Sequence, residues 1–490
     1  MKKNFLTVAA MTVVAFFVSA EIAKAADISF SGQVRTRWEV AEHLGNGGVA
    51  GAGNSDGKAF NNQPDDFINS SVRLAATANI NDSASAFIQM QSNRTWGGTG
   101  SSTNGGGSGN ASSAANNQDS SVGIHQAYFT LKNFGGLPMG WDAKVGRQEI
   151  KLDGWRLFGN TIWTMGMQTH DAIRLTHKQD NLTASLMYIL RNEDGRTNDQ
   201  NDDNDFDVYA AHVNLKGVLG GQFSGYYVYS DNGCSPKVAS GTSNSAGCAN
   251  FSNDFHTIGG RQAGTMFGLK YRAELYYQFG DATGIVDSTG GTDHSDVTAG
   301  ATMDREAYMY GVRLTKAFNN VSTKPSVTLW YDYLSGTSDE DLKAGNWSSF
   351  DTLYDTGHKY YGLQDLFLGV GSGGPKGTQG LGLQDLAVKV KMNPIAGWTL
   401  KLDYHYFYTA EGVSASPHVS DVARVADNGA DGSFLGNELD VTAIHKMNSA
   451  TKVIVGYSNF NAAQAFRSIR NATTGSQDAN WAYVQFDVKF

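Results

Sequence analysis

The sequence predicts an all-β fold: a closed antiparallel transmembrane β-barrel of about eighteen strands, with short periplasmic turns and long extracellular loops. Three observations favour it: apolar and polar residues alternate along most of the chain, long and short connections alternate, and all seven prolines fall in connections. Because successive side chains point to opposite faces of a strand, alternation gives each strand one apolar and one polar face. A membrane barrel needs both, since lipid covers its outside and water can fill its inside.

The alternating segments follow one another through residues 26–490, which we predict to form one barrel domain. In the eleventh segment, Tyr271, Leu275 and Phe279 alternate with Arg272 and Glu274. The tenth segment has the weakest alternation, because glycine and glutamine interrupt it. The predicted strands cover residues 27–42, 67–80, 84–96, 122–133, 141–151, 170–179, 181–192, 206–216, 221–231, 255–266, 270–280, 305–318, 326–336, 381–392, 398–410, 434–447, 450–461 and 481–490.

The connections indicate a closed sheet. Short links such as 81–83 and 393–397 alternate with long ones such as 97–121 and 337–380, which suits a barrel with turns at one rim and loops at the other. Proline cannot donate to a strand ladder, and every strand of a closed sheet is central, so the absence of proline from the segments agrees. A soluble β-sandwich, propeller or β-helix is the alternative, but those folds show no systematic rhythm of loop lengths.

The first 25 residues predict a secretory signal peptide. Lys2 and Lys3 precede an apolar run over residues 5–20, and Ala23-Lys-Ala25 offers a small-residue cleavage site. No later stretch approaches 18 uninterrupted apolar residues, so we expect the mature chain to leave the cytoplasm without a transmembrane helix.

The last ten residues alternate strictly and end on Phe490. They resemble the C-terminal strand of bacterial outer-membrane barrels, in which the terminal phenylalanine belongs to the assembly signal. This resemblance implies the barrel-assembly machinery as a partner. It also implies a Gram-negative outer membrane, with its lipid and lipopolysaccharide, as the surroundings.

Charge and composition exclude some functions. The formal net charge of −9 argues against a nucleic-acid partner, which requires a basic surface. The sequence contains no H-E-x-x-H motif and no clustered His or Cys set, so we expect neither an enzyme nor a metal or other cofactor.

Cations on the polar parity of the strands are expected to line the bore. A cation in a channel attracts anions, and arginine can hold a carboxylate transiently, so as a set they predict a mild anion preference. Ion pairing with carboxylates of the same parity is the alternative for any one of them. Arg147 is included, although alternation from Val145 places it outside unless it lies at the rim or beyond a bulge. The predicted pore-lining residues are Arg35, Arg37, Arg73, Arg147, Arg174, Arg313, Lys389, Lys391, Lys401, Asp403 and His405.

Two connections are unusually apolar. Residues 152–169 are too apolar for a solvated loop and are predicted to fold inward as a constriction; a lid under neighbouring loops, or contacts on the outer rim, are the alternatives. Residues 350–367 contain five aromatic residues and could form a second plug-like element. The predicted constriction residues are Trp155, Arg156, Phe158, Trp163 and Met165.

Two further loops carry distinctive residues. Cys234 and Cys248, the only cysteines, share one loop, and an oxidising envelope favours a disulfide between them. Residues 193–207 contain seven carboxylates, which suits a hydrated loop, or alternatively a calcium site or a divalent bridge to lipopolysaccharide.

Three stretches carry a resemblance beyond architecture. They are Gly146-Arg-Gln-Glu149 with 153–156 and 170–175, Phe350-Asp-Thr-Leu-Tyr354 with 357–362 and Asp365, and Leu435-Gly-Asn-Glu-Leu-Asp440 with 455–457. Together they resemble the alginate-export family of outer-membrane porins. The resemblance implies a monomeric barrel of eighteen strands that passes small or oligomeric solutes, including oligosaccharides, and implies a basic lumen in members that export polyuronate. The alternative is an adhesive or scaffold barrel with a closed lumen, whose loops bind a surface or electron-transfer partner.

Overall fold

The computed structural model of the chain is a closed antiparallel β-barrel, in agreement with the predicted fold class. It describes residues 27–42, 65–96, 122–136, 140–192, 206–232, 254–283, 302–367, 377–378, 380–413, 432–469 and 478–490. The strands are β1 (Asp27–Glu42), β2 (Asp65–Asn81), β3 (Ala84–Thr95), β4 (Gly123–Leu131), β5 (Trp141–Gln148), β6 (His170–Gln179), β7 (Leu182–Asn192), β8 (Phe206–Val218), β9 (Gly221–Asn232), β10 (Phe255–Met266), β11 (Leu269–Thr283), β12 (Thr302–Ala317), β13 (Ser326–Leu334), β14 (Asn346–Trp347), β15 (Leu383–Met392), β16 (Trp398–Val413), β17 (Gly432–Lys446), β18 (Thr451–Ala462) and β19 (Ala479–Lys489).

Eighteen of these strands form the wall, and the two-residue β14 adds a parallel pairing to β12. Each wall strand pairs with the next, β13 pairs with β15, and β19 returns to pair with β1. Backbone hydrogen bonds in both directions between Gly32 and Phe490, of 2.7 and 3.1 Å, complete the last pairing. The sheet therefore has no free edge, as a membrane requires.

The apolar residues of the wall lie outside and the polar residues lie inside. Phe30, Leu275 and Leu329 are 81%, 60% and 56% exposed, whereas Gln278 and Asp332 are fully buried inside the barrel. This is the reverse of a water-soluble fold and matches a barrel whose outer face contacts hydrocarbon. Stacked tyrosines on the outer wall, such as Tyr308 with Tyr333, fit an interfacial aromatic girdle.

The strand with the weakest alternation has a steric reason for its glycines. In β10, a Cβ on Gly259 would lie 2.3 Å from Cδ1 of Tyr276, so the tyrosine ring occupies the space that a side chain would need. Glycine therefore replaces an alternating residue without removing the strand.

The remaining elements lie in connections between wall strands. Among the described residues they comprise two helices, α1 (Asp339–Ala344) and α2 (Gln464–Ile469), and two 3₁₀ turns, Phe134–Gly136 and Gly357–Lys359. No helix in the described ranges has the length and apolar character needed to cross a membrane.

Some sequence predictions lie outside the described residues. These are the signal peptide (1–25), the paired Cys234 and Cys248, and most of the acidic stretch, residues 193–205. They stay predictions.

Candidate constriction site

The connection between β5 and β6, residues 149–169, enters the barrel and is called the crossing loop below. On one side of the bore its carbonyl oxygens accept hydrogen bonds from arginines of β1 and β2. The bonds run from Arg35 Nη1 to Ile162 (2.8 Å), from Arg37 Nη2 to Trp163 (2.5 Å) and from Arg73 Nη2 to Met165 (3.0 Å). Gln91 on β3 adds a bond to Gly166 at 3.0 Å.

On the other side of the bore, Arg156 attaches the same loop to β11 and β13. Its guanidinium lies 3.1 Å from Glu274 and 2.5 Å from Asp332, donates to the Tyr361 hydroxyl at 3.0 Å, and stacks 3.7 Å from the centre of the Tyr360 ring. Although burial opposes the charge, Asp332 raises the pKa of Arg156 well above its ordinary value. The buried cation is therefore fully compensated.

These two attachments make the loop span the bore. In the ring of eighteen wall strands, β2 and β11 are nine positions apart and so lie on opposite sides. The loop is bound to β1–β3 through residues 162–166 and to β11–β13 through Arg156. The predicted inward folding agrees with this placement.

The carboxylate of Asp153 attaches the beginning of the crossing loop to the wall. Asp153 Oδ2 lies 2.9 Å from His212 Nε2 and accepts a hydrogen bond from the Tyr226 hydroxyl, which ties the loop to β8 and β9. Burial alone would raise the pKa of Asp153, but the hydrogen bonds from His212 and Tyr226 lower it to about 2. Asp153 thus stays ionised and keeps its anchors at any physiological pH.

A second segment, residues 348–367, also lies inside the barrel and is called the inner loop. It pairs with the crossing loop: Gly159 N donates to Tyr354 O at 2.7 Å, and Tyr354 N donates to Leu157 O at 2.9 Å. Phe158 is fully buried and lies against the Tyr354 ring, with 5.3 Å between centroids. Residues 350–367 therefore lie inside the barrel, as a plug-like element would.

The inner loop is fixed to the wall strands β17–β19. Glu438 Oε1 accepts hydrogen bonds from the backbone N–H groups of Leu363 (2.6 Å) and Gln364 (3.1 Å). The Gln364 amide reaches Ser458 and the Ala479 carbonyl at 3.1 Å each. Between them, the two loops contact most of the circumference.

The two loops also contact each other through the predicted constriction residue Trp163. Its ring stacks on His358 at 4.1 Å, and Arg37 covers it at 3.6 Å. Trp155 lies 4.5 Å from Lys359 Nζ, which donates to Gly154 O at 2.9 Å. These aromatic residues thus lie inside the barrel, where the two loops meet.

Beside Arg156, three wall arginines form what we call the arginine cluster: Arg261 on β10, Arg272 on β11 and Arg313 on β12. Arg261 and Arg272 approach Glu274 at 3.4 and 2.9 Å, and Arg313 approaches Asp332 at 3.1 Å. With Arg156 and Lys359, five cations surround two carboxylates, so the region carries an excess of positive charge.

Lys359 is the accessible cation of this region. Its side chain is exposed to the bore. Desolvation inside the bore, together with the nearby charges of Arg272 and Arg156, lowers the pKa of Lys359 to about 8. Lys359 therefore remains mostly charged at neutral pH, but the neighbouring positive charges oppose it.

Several N–H groups of the arginine cluster make no hydrogen bond with a described residue, although Arg261 Nε and Arg313 Nη1 lie within ion-pair distance of Glu274. They are Nε and Nη1 of Arg261, Nη2 of Arg272, and Nε and Nη1 of Arg313. The side chains are only 11%, 14% and 7% exposed. Buried donors normally find partners, so these groups are suited to an anion in the bore.

The other predicted pore-lining residues face the bore at other heights. Arg174 donates to Ser185 at 3.1 Å, Lys389 pairs with Asp403 at 3.3 Å, and His405 lies 2.7 Å from Asp385. Lys391 and Lys401 lie opposite each other near the short turns and are exposed. The carboxylates thus engage some of these cations in ion pairs, the alternative noted for each of them.

The structure corrects the prediction that Arg147 lines the bore. It lies opposite Ala127, which in turn lies opposite Ile88, and Ile88 is 52% exposed on the outer wall. Its guanidinium bonds at 3.1 Å to Asp171, whose side chain is also exposed. Because directly opposed residues share a face, Arg147 lies on the outer face near the long-loop rim and does not line the bore.

Sequence reasoning did not select several residues that build this site. Arg272 and Glu274 carried a signal, since they occupy the polar parity of the eleventh segment. Arg261 lies in the glycine-rich segment whose parity was blurred. Asp153 and Lys359 lie in loops, where no periodicity indicates a partner. Within the described ranges, no group of three His, Cys, Asp or Glu residues is arranged to hold a metal ion.

Solved structures share the architecture. Acinetobacter baumannii OccAB1 aligns with a TM-score of 0.53 and 12% identity, covering 96% of this chain and 98% of that one. Pseudomonas aeruginosa OccK8 (OprE) aligns with a TM-score of 0.52 and 12% identity, covering 95% and 98%. At this identity the likeness concerns the fold alone.

Family membership follows from a different comparison. No curated protein matches the sequence. The family model described as alginate export, however, matches residues 52–480, which is most of the chain. This agrees with the resemblance carried by the three stretches above and with a barrel of the outer-membrane channel type. The chain belongs to the alginate export family.

Proposed function

We propose that the protein is a passive outer-membrane channel that prefers anionic solutes bearing carboxylates. The observation that carries this proposal is the arginine cluster, in which several N–H groups lie beside the crossing loop without a hydrogen bond to any described residue. A guanidinium presents paired N–H donors that match a carboxylate, so a uronate-type group is the solute chemistry that fits best.

The geometry favours weak and repeated binding over tight capture. Glu274 and Asp332 already engage one side of each arginine, which leaves only part of its donor set for a solute. Conduction requires binding sites that an ion can both enter and leave. Partial compensation by wall carboxylates provides this condition.

Planar-bilayer recording in a KCl gradient tests the proposal. We expect the wild-type reversal potential to indicate anion preference, and we expect Arg272→Gln and Arg261→Gln each to move it toward zero. Arg147→Gln removes the same charge from the outer face and serves as the matched control, with an unchanged potential. Cation-selective wild-type current would overturn the anion preference.

A second measurement addresses the solute. Proteoliposomes should swell faster with small uronates than with uncharged sugars of equal size, and the difference should shrink in Arg272→Gln. Equal rates for both classes would contradict the carboxylate preference while leaving the channel in place.

One observation favours a second candidate, a scaffold barrel with a closed lumen. Where the two loops meet, large aromatic side chains are fully buried, including Phe350, Tyr360, Tyr361 and Phe367. Such a core would block the bore if it filled the whole cross-section. An absence of open-channel current in every condition would select this candidate over the channel.

A further inference from the structure

The outer wall of strands β8–β11 contains a groove, which we call the outer groove. Its volume is about 810 Å³, within the range of about 300–1,000 Å³ that small-molecule sites occupy. Gly225 on β9 and Gly260 on β10 lie directly opposite each other and form its floor. Val213 and Leu275, which continue the same register on either side, are 43% and 60% exposed and form its walls. The groove is therefore two strands wide and lies on the face that contacts hydrocarbon.

The backbone does not require glycine at the floor of the outer groove. Neither Gly225 nor Gly260 has a φ in the left-handed region. A Cβ on Gly225 would lie 3.2 Å from Val213 Cγ2, and a Cβ on Gly260 would lie 3.2 Å from the Phe223 ring. Small shifts of these side chains would admit a larger residue. The open volume is thus a property of this sequence and not a consequence of strand geometry.

Toward the long loops, an aromatic band lies beyond the outer groove. It consists of four stacked outer-wall rings with centroids 6.1, 4.6 and 5.0 Å apart, namely Tyr209, Tyr229, His256 and Phe279. Such a band fits the membrane interface, so the groove itself lies at hydrocarbon depth. The outward residues that follow on β8, β9 and β11 are Asp207, Asp231 and Asp281. Their carboxylates disfavour a phosphate at this end.

Toward the short turns, the outer groove contains a polar group. Gln262 lies opposite Phe223, and its Nε2 donates to the Val218 carbonyl at 2.9 Å and to the Tyr271 hydroxyl at 3.1 Å. Its Oε1 is buried and makes no hydrogen bond with a described residue. Buried acceptors normally find a donor, so this oxygen is suited to an N–H or O–H group of a ligand.

The charge at the short-turn end is opposite to that at the long-loop end. Lys316 on β12 lies opposite Leu269 and shares the outward parity of Leu314, which is 42% exposed. Its own side chain is exposed, and no described carboxylate lies within ion-pair distance of it. A phosphate is therefore attracted to the short-turn end of this part of the wall.

We propose that the outer groove binds one phospholipid of the periplasmic leaflet. An acyl chain lies over Gly225 and Gly260, and an ammonium headgroup, as in phosphatidylethanolamine, donates to Gln262 Oε1. The hydrocarbon chain fills a groove that offers it only apolar contacts, and each methylene that it buries adds to the affinity. The ammonium supplies the donor that Gln262 lacks. Because the site is on the outer wall, it is independent of the proposed channel function.

Two other occupants fit the outer groove less well. Lipopolysaccharide would bring its phosphates to the end of the wall that carries Asp207, Asp231 and Asp281. A second copy of the chain would have to fit a broad sheet face into a groove two strands wide. A single acyl chain is narrow enough to enter it, and its headgroup then lies at the end that carries Lys316.

Native mass spectrometry of the full chain in detergent tests the headgroup contact. The two lipids compared are phosphatidylethanolamine and phosphatidylcholine with identical acyl chains, since the methylated ammonium of the second has no N–H donor. We expect wild-type protein to retain one phosphatidylethanolamine with about tenfold higher affinity, the effect of one hydrogen bond from a charged donor. Gln262→Met removes the acceptor and should bind the two lipids equally. Equal affinities in wild-type protein would overturn the proposal.

A second variant tests the groove itself. Gly225→Leu fills the floor and should lose both lipids, while heat-modifiable migration on gels verifies that the barrel is folded. Ala443→Leu makes a similar change on the outer face of β17, where Ala443 lies opposite the exposed Val455, and should retain lipid as wild type does. Unchanged retention in Gly225→Leu would overturn the site, and a dimer that this variant disrupts would assign the groove to a second copy. Neither outcome depends on channel current.

Discussion

Arginines lie on two walls of the bore, and the acceptors that they contact differ between the two walls. On β1 and β2, Arg35, Arg37 and Arg73 each donate to a carbonyl oxygen of the crossing loop. On β10 to β12, the arginine cluster donates to no loop carbonyl within the described residues and faces wall carboxylates instead. The first wall holds the crossing loop in place, and the second has arginine N–H groups that make no hydrogen bond with a described residue.

The difference shows what a bore-facing arginine signifies. Parity predicts that it faces the lumen, but its function depends on the acceptor that reaches it. A backbone carbonyl satisfies a guanidinium N–H with a neutral partner and fixes a loop. A carboxylate shared by several arginines leaves charge and N–H groups in excess, which is the condition for attracting an anion.

The largest expected effect comes from releasing the crossing loop at the second wall. Arg156→Gln removes the cation that binds the crossing loop to Glu274 and Asp332, while Arg272 and Arg313 remain beside these carboxylates. We expect the loop to detach from β11–β13, with a severalfold rise in single-channel conductance. Lys151→Gln, an exposed change in the same loop, should conduct as wild type. Unchanged conductance in Arg156→Gln would show that the loop does not narrow the bore.

A carboxylate introduced on the crossing loop should neutralise part of the positive charge of the arginine cluster on the second wall. A Cβ on Gly154 would lie 2.9 Å from Arg272 Nη1 and 3.7 Å from Arg261 Nε. In Gly154→Asp we therefore expect the new carboxylate to accept hydrogen bonds from Arg272 and Arg261. The proposed anion preference should then be mostly lost. Gly154→Asn has nearly the same volume without the charge and should keep more of the preference. Equal reversal potentials for the two variants would separate the selectivity from the arginine cluster.

The attachment of the inner loop to β17 requires a glycine at position 362. Gly362 has a φ of +83°, and a Cβ there would lie 2.5 Å from Glu438 Oε1, which accepts the Leu363 and Gln364 N–H groups. Gly362→Ala should cost about 1–2 kcal/mol through the left-handed backbone alone. We expect faster hydrogen–deuterium exchange in the peptide 356–367. Gly412→Ala, which meets no atom within 4 Å, is the control, and equal exchange in both variants would contradict the prediction.

The smallest effect is a pH dependence of the inner loop. Asp355 Oδ2 is buried without a hydrogen bond to any described residue, and desolvation, opposed by Arg156, raises the pKa of Asp355 to about 8. A carboxyl with a raised pKa loses stabilisation as pH increases from its unfolded value toward 8, and above that it carries an unpaired charge. We expect current noise to increase between pH 7 and pH 9.

Asp355→Asn removes the titration and should abolish that increase. Asp171→Asn, which removes an exposed carboxyl on the outer face, should leave it intact. A noise increase that survives in Asp355→Asn would assign the pH dependence to another group.

Sequence patterns predicted the fold but only part of the site. The periodicity of the β11 segment placed Arg272 and Glu274 on the bore face, and the apolar character of residues 152–169 predicted inward folding. The prediction that Arg147 lines the bore was wrong, because its register with Ala127 and Ile88 gives the outward position that alternation from Val145 already indicated. Sequence patterns did not identify Asp153 and Lys359, because the partners of these residues are distant in sequence.

By itself, the sequence determined the closed barrel, its eighteen strands and the polarity of its two faces, because alternation is a local property that each strand carries on its own. It also contains the lysines at the short turns and the carboxylates at the long loops. Tertiary structure alone decided which arginines hold a loop and which remain available to an anion. That choice depends on where loop carbonyls and carboxylates from strands far apart in the chain come within hydrogen-bonding distance, and no local pattern encodes it.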